Sequence, residues 1–448
     1  MHLLRIFSIA LITALVPMAS VAAAGAPADE EMVRRAFHFG FPVYEMMRVR
    51  SNSRVPANTL GMRSTLTGPQ DRAVTAPNND TLYASAWLDL SAGPVTLDMP
   101  ALTDRYHSVH LMDLFTDAFA IPGTRTDGGR GGRVLIVGPE WKGQAADGVK
   151  VLRAPTNDVW MIVRVVVDGP EDLPTAVAAQ REFRLSEAPV PRVYTTPTPL
   201  LPTPQEFLAA VNAALARGPV PTVHRERLSA LAPAGIGPAA LGWSELPEET
   251  RALWQRLLGP LREELRRTFA AAGTGKSGWV YPRAGLGRFG HDDRFRATVA
   301  LGGLAALPEE EALYVNSTSD ADGEPFDGSR TYRFVVPQDI PVDAFWSLTI
   351  YAPDGEGRWF LHENPIRRYS IGDRTKGIVR AADGSIPIVI QNEPPSDADS
   401  NWLPAPRGHF RLSFRAYLPQ ASFRDGSFRL PPVRAAPKSS EQPLGWAR

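Results

Sequence analysis

The chain has 448 residues, with 48 basic and 48 acidic side chains and no cysteine. A zero formal net charge leaves no electrostatic footprint for nucleic acid or an anionic membrane as an obligate partner, and the missing cysteines exclude disulfides, thiol nucleophiles and thiolate metal sites. The length implies two or more domains, and the 42 prolines argue for short strands joined by turns rather than a mainly helical protein.

Residues 1–24 read as a signal peptide: Arg5, an apolar run from Ile6 to Val16, and a small-residue cleavage site at Ala22-Ala23-Ala24. The run is short and stops at Pro17, so no integral membrane segment is expected after cleavage. The mature protein is expected to be soluble and exported, in the periplasm or outside the cell. Residues 25–69 form an N-terminal helical segment, with Met32, Phe39, Val43 and Met46 on one side, Asp29 as N-cap and Pro42 expected to kink or break it.

Residues 70–175 turn to short runs such as "TLYASAWLDLS", "YHSVHLMDL" and "VWMIVRVVVDG", which predict an antiparallel β-sandwich. Residues 176–310 are read as helical, with Thr203 as an N-cap, Gly218 as a stop, and a Gly-Pro break at 259–260. Strands return over 311–435, giving a sandwich or jelly roll with turns at Asp354-Gly355 and Asp383-Gly384. Residues 436–448 are expected to be a flexible tail. The fold class is therefore mainly β with a central helical region.

Several stretches carry candidate chemistry. In "PNNDTLY" (77–83), Asn79, Asp80 and Tyr83 form either a strand-entry turn or a polar rim offering donors and acceptors to a ligand. In "RYHSVHLMDLFTD" (105–117), strand alternation puts His107 and Asp113 on one face, and Tyr106, His110 and Met112 on the other. His107 and His110 therefore do not share a metal, while either face suits acid–base work. "TRTDGGRGGR" (124–133) lacks the Gly-Lys-Ser/Thr ending of a phosphate loop and reads as a mobile hairpin, with Arg125 near enough to a strand to hold an anion. The Asp320/Asp322/Asp327 and Asp397/Asp399/Asn401 runs lack the closing glutamate of a calcium loop. No Gly-x-Ser-x-Gly elbow is present, and Ser347 or Ser370 as a nucleophile requires a base that sequence does not reveal. "RRYSIGDRT" (367–375) and "SNWLPAP" (400–406) either pair Asp373 with an arginine inside a loop, or present Arg368, Tyr369, Arg374 and Trp402 to an anionic or polyhydroxyl ligand.

The stretches "APNNDTLYASAWLDL" and "DRYHSVHLMDLFTDAFAIPGTRTDG" resemble the bacterial domain of unknown function 1254. "DAFWSLTIYAPDG", "NPIRRYSIGDRT" and "SNWLPAPRGHFRLSFRAYLP" resemble its C-terminal partner, the domain of unknown function 1214. The resemblance implies an immunoglobulin-like β domain, a helical region and a jelly-roll-like β domain, often in an exported protein, and it implies no agreed activity. His110 stands where the family pattern has glutamine, which separates it from a family-wide catalytic role.

Two function classes follow. One is an exported protein binding a small polar or carbohydrate-like molecule in a cleft between the β domains, and possibly hydrolysing or otherwise converting it. Its candidate catalytic residues are Asp80, Tyr83 and His110, and its candidate ligand residues are Asn79, Tyr106, Arg125, Arg368, Tyr369, Arg374 and Trp402. The other is a non-catalytic binding or structural protein of the cell envelope. Neither metal nor cofactor is expected, and a homo-oligomer is compatible with either.

Overall fold

The computed structural model describes residues 27–436 except 73–74, 187, 271–273, 356–357 and 398–399. The expected signal peptide, the tail from 437 and Asp399 lie outside the described residues. The helices are α1 (Glu30–Ser51), α2 (Thr124–Asp127), α3 (Leu173–Arg181), α4 (Pro204–Leu215), α5 (Thr222–Ser229), α6 (Glu248–Ala270), α7 (Asp293–Gly302) and α8 (Ala421–Arg424). The first group of strands is β1 (Gly61–Met62), β2 (Thr81–Asp89), β3 (Val95–Met99), β4 (His107–Asp113), β5 (Ala118–Ala120), β6 (Gly132–Val137), β7 (Lys150–Arg153), β8 (Asp158–Val166) and β9 (Arg184–Ser186). The second is β10 (Thr274–Lys276), β11 (Trp279–Tyr281), β12 (Ala312–Ser317), β13 (Tyr332–Val336), β14 (Val342–Pro353), β15 (Trp359–Phe360), β16 (Ser370–Gly372), β17 (Ile386–Gln391), β18 (Asn401–Pro404), β19 (Arg411–Pro419) and β20 (Arg434–Ala435). The chain is thus mainly β with a helical region.

The first β unit packs a sheet of order β1-β2-β8-β4-β5 on one of order β7-β6-β3-β9. Strand periodicity sets its core: Leu82, Ala84, Ala86 and Leu88 of β2 and Val159, Met161, Val163 and Val165 of β8 meet Val95 and Leu97 of β3 and Val134 and Ile136 of β6. In the second unit, a sheet of order β10-β11-β12-β19-β14-β15, with β16 beside β14, faces one of order β18-β17-β13-β20. Leu313, Val315, Leu348, Ile350, Leu412 and Phe414 point into that core. The intervening residues of β12, β14 and β19 therefore point away from it. An antiparallel sheet commonly turns such a face to water; here it meets the first β unit.

Helix α1 packs on α4, α6 and α7. Its N-cap is Asp29, whose Oδ1 accepts from the Met32 N–H at 2.7 Å. Contrary to expectation, α1 runs through Pro42. A helix-interior proline costs about 3 kcal/mol. Every residue from Ala36 to Met47 is buried, and each large apolar side chain among them contributes about 1.5–3 kcal/mol, which outweighs that cost. For the same reason α6 continues through Gly259-Pro260, where Trp254, Leu257, Leu261 and Leu265 form a buried stripe. Thr203 is the N-cap of α4 as expected, in a capping box with Glu206, and the C-cap is Ala216 rather than Gly218. The expected hairpin at 124–133 is instead the one-turn helix α2 followed by β6.

The helical body lies against the first β unit, where Trp87 and Trp160 stack at 4.8 Å. Beside them Arg217 donates to Asp158 at 2.7 Å and to Asp89 at 3.2 Å, and Arg50 also bonds Asp158. Among the described residues no helix is long and apolar enough to cross a membrane.

Candidate functional site

The segment 76–83 enters β2 by crossing the outward face of the larger C-terminal sheet. Asn78 makes its own turn, its Oδ1 accepting from the Asp80 N–H at 2.8 Å, while its Nδ2 donates to the Tyr417 hydroxyl at 2.7 Å. The Pro77 carbonyl accepts from the Tyr351 hydroxyl at 2.7 Å, and the Ala76 carbonyl from Arg415 Nη2 at 3.0 Å. The Asp80 carboxylate accepts from Ser347 Oγ at 2.6 Å. Asn79 turns back to its own unit and donates to the Thr67 carbonyl at 2.6 Å.

Three arginines stand at this junction. Arg415 donates to Thr349 Oγ1 at 2.8 Å and to the Tyr351 hydroxyl at 2.5 Å, and its buried Nε has no partner. Arg411 donates to Asn316 Oδ1 at 2.6 Å, and its Nε is likewise buried and unpartnered. Arg164, on the outward face of the five-stranded sheet, donates from Nη2 to the Ala305 carbonyl at 3.2 Å and lies over the Tyr83 ring at 5.6 Å, leaving Nη1 buried without a partner. Among the described residues none of the three forms an ion pair. Burial lowers the Arg411 pKa to about 10, against the pull of Tyr351. The nearby carboxylates are committed: Asp80 to Ser347, and Glu311 to the Tyr106 hydroxyl at 2.8 Å and Arg125 Nε at 2.6 Å.

Register explains which sequence-predicted residues converge. Tyr83 and Ser108 both lie opposite Arg164 on adjacent strands, and His110 opposite Ile162. Tyr83 and His110 thus share the face of Arg164, as alternation on β4 predicts. His110 is 0% exposed and neither ring nitrogen has a partner among the described residues. Burial, then the charge of Arg164, holds its pKa well below the ordinary value, so the imidazole is neutral. Tyr106 and Arg125 reach the same region through Glu311, and Arg125 is an ion-pair partner there, not a free anion holder.

The remaining candidates lie elsewhere. Arg374 donates to the Val167 carbonyl at 2.9 Å and to Asp168 at 2.7 Å and covers the Phe345 ring at 3.9 Å, clasping the two β units together. Asp373 accepts from the Trp346 N–H at 3.3 Å, and burial, against the opposing pull of Arg374, raises its pKa to about 6. The Tyr369 carbonyl accepts from the Ile350 N–H at 3.1 Å. Arg368 and Trp402 meet at a separate pocket of about 440 Å³ in the second unit. His107 and Asp113 point to the other side of β4. Asp113 accepts from the backbone N–H groups of Phe115 and Asp117, and burial, then the Asp117 charge, push it up to about 7.

Sequence reasoning passed over Arg164, Arg411 and Arg415. The signal was present in "RLSFRAY", where Arg411, Ser413, Arg415 and Tyr417 occupy alternate positions of a strand whose other face is apolar. It also passed over a pocket of about 560 Å³ in the helical body lined by Arg35, His38, Arg227, His291, Asp292 and Asp293. Among the described residues no group of three or more acidic or histidine side chains is arranged to hold a metal ion.

The fold and site describe a protein of two two-sheet β units, joined through polar sheet faces and braced by a helical body. The chain matches the family model described as Protein of unknown function (DUF1254) over residues 57–187, and that described as Protein of unknown function (DUF1214) over 311–421. It belongs to the proteins that carry these two domains in this order. The crystal structure of the VPA0106 protein from Vibrio parahaemolyticus is similar over 91% of this chain and 100% of its own, with a TM-score of 0.73 and 24% identity, a likeness of fold. An uncharacterised protein from Burkholderia cenocepacia aligns over 92% of this chain and 91% of its own, with a TM-score of 0.44 and 11% identity. No curated protein matches the chain.

Proposed function

We propose that this protein binds a small anionic molecule between its two β units. One observation carries the reading: Arg164, Arg411 and Arg415 each hold a buried, unpartnered N–H, and none forms an ion pair among the described residues. A buried guanidinium N–H without an acceptor is costly, and an anion accepting it removes the cost. The features of residues 1–24 support an exported location for this binding.

A second reading is acid–base conversion of the bound molecule, favoured by His110. Its neutral imidazole lies on the face of Tyr83 and Arg164, and neither ring nitrogen has a partner among the described residues.

The test is the melting temperature of the full protein, titrated with phosphate, sulfate, acetate, citrate and neutral sugars at constant ionic strength. At least one anion is expected to raise it in a concentration-dependent way, with the rise absent in Arg411→Gln and Arg164→Gln. No rise with any anion, or an equal rise in both variants, overturns the binding reading.

A further inference from the structure

The pocket at Arg368 has a different chemistry from the junction of the β units. Its volume is about 440 Å³, within the ordinary range for small-molecule sites. Its walls are half apolar, with Ile371, Ile378, Val379, Pro395 and Trp402 among them, and half polar, with Thr375, Lys376, Asp397, Ser400 and Asn401 beside Arg368. Trp402 is buried at 6% exposure, and its indole N–H is already spent on the Gln391 carbonyl at 2.9 Å. Asn401 is spent too: its Oδ1 accepts from the Val379 N–H at 2.8 Å, and its Nδ2 donates to the Val379 and Pro387 carbonyls at 2.7 and 2.9 Å. Thr375 Oγ1 accepts from the Gly372 N–H at 2.9 Å.

Arg368 is the exception. Its guanidinium makes one hydrogen bond, from Nη1 to the Trp402 carbonyl at 2.9 Å, and no ion pair among the described residues. It is half-buried, and desolvation holds its pKa below the ordinary value. The other cation at the pocket, Lys376, pairs with Glu171 at 3.0 Å in an exposed position. A partly desolvated cation beside the apolar side of the pocket, formed by Ile371, Ile378, Val379 and Trp402, matches a ligand that is negative at one end and apolar along its length.

We propose that this pocket is a second ligand site, for a small amphipathic carboxylate such as a medium-chain alkyl or aryl acid. The carboxylate lies on the free N–H groups of Arg368, in the planar two-point geometry that guanidinium favours. The apolar body lies against Trp402, Ile378 and Val379. Asn401 and the Trp402 indole are already bonded to backbone, which leaves a polyhydroxyl ligand fewer partners here.

The test uses calorimetric titration of the full protein with butyrate, octanoate, benzoate, octanol and glucose. Octanoate is expected to bind more tightly than butyrate, and octanol and glucose at least about tenfold more weakly than octanoate, the loss that goes with a charge-assisted hydrogen bond. Arg368→Gln is expected to weaken octanoate by a similar factor. Val379→Trp, which adds bulk at the pocket wall and leaves Arg368 in place, is expected to block it. Arg411→Gln, which disables the junction of the β units, is expected to leave octanoate binding unchanged, so either site can fail without the other. Octanoate binding that survives both pocket variants overturns the proposal, as does binding lost in Arg411→Gln or glucose binding that depends on Arg368. Circular dichroism of each variant separates loss of binding from loss of fold.

Discussion

Ser347 and Asp80, 267 positions apart in the chain, share a buried hydrogen bond of 2.6 Å that joins β14 of the second unit to the start of β2 in the first. Removing the hydroxyl leaves a buried carboxylate oxygen without its donor. Ser347→Ala is therefore expected to lower stability by about 1–3 kcal/mol, measured by urea denaturation. A change within experimental error would mean that the other bonds and the packing of the junction hold it without this one.

The second attachment, of the helical body to the first β unit, rests on Asp158 between Arg50 and Arg217. All three side chains are buried. Asp158→Ala removes the carboxylate that Arg50 holds and one of the two that Arg217 holds, and is expected to cost about 3–5 kcal/mol. Since Asp158 lies at the start of β8 and Arg217 just past α4, hydrogen exchange is expected to rise at both places. Exchange that rises only in β8 would show that the helical body is fixed by other contacts.

Stability is expected to carry a signature of Asp113. Its folded pKa is about 7, above its ordinary 3.8, through burial and then the Asp117 charge, with Arg296 opposing. The folded state thus holds that proton more tightly. Its contribution is fully present below pH 3.8 and is lost as pH rises through about 7. His38 and His224 act oppositely: burial lowers them to about 4 and 3, so their contribution is present above about pH 6.5 and is lost as pH falls towards those values. The clean readout is the stability of the wild type minus that of Asp113→Asn, which is expected to fall between pH 4 and 7.5. A difference that stays flat, or rises, contradicts the assignment.

The fold was largely legible in the sequence because its strands obey a period of two. Thr203 with Glu206 and Asp29 with Met32 are local, and they read directly as caps. Pro42 and Pro260 were misread because a proline's cost is local while the burial that overrides it comes from other helices. The site was half legible. Alternation placed Tyr106 and His110 on one face, but nothing local shows that Arg125 meets Glu311, 186 positions away, or that Arg374 reaches Asp168 across 206. Nothing local marks the outward arginines of β19 as buried, and only the packing of one sheet face on another gives them meaning.

The central claim is that unpaired arginines between the β units hold an anion. The most direct measurement is anomalous diffraction from crystals of the full protein soaked in bromide. The account predicts an anomalous peak within hydrogen-bonding distance of Arg164 Nη1, Arg411 Nε or Arg415 Nε, absent in the matching arginine-to-glutamine variant. Peaks confined to the outer surface, with those N–H groups bonded only to water, would contradict it.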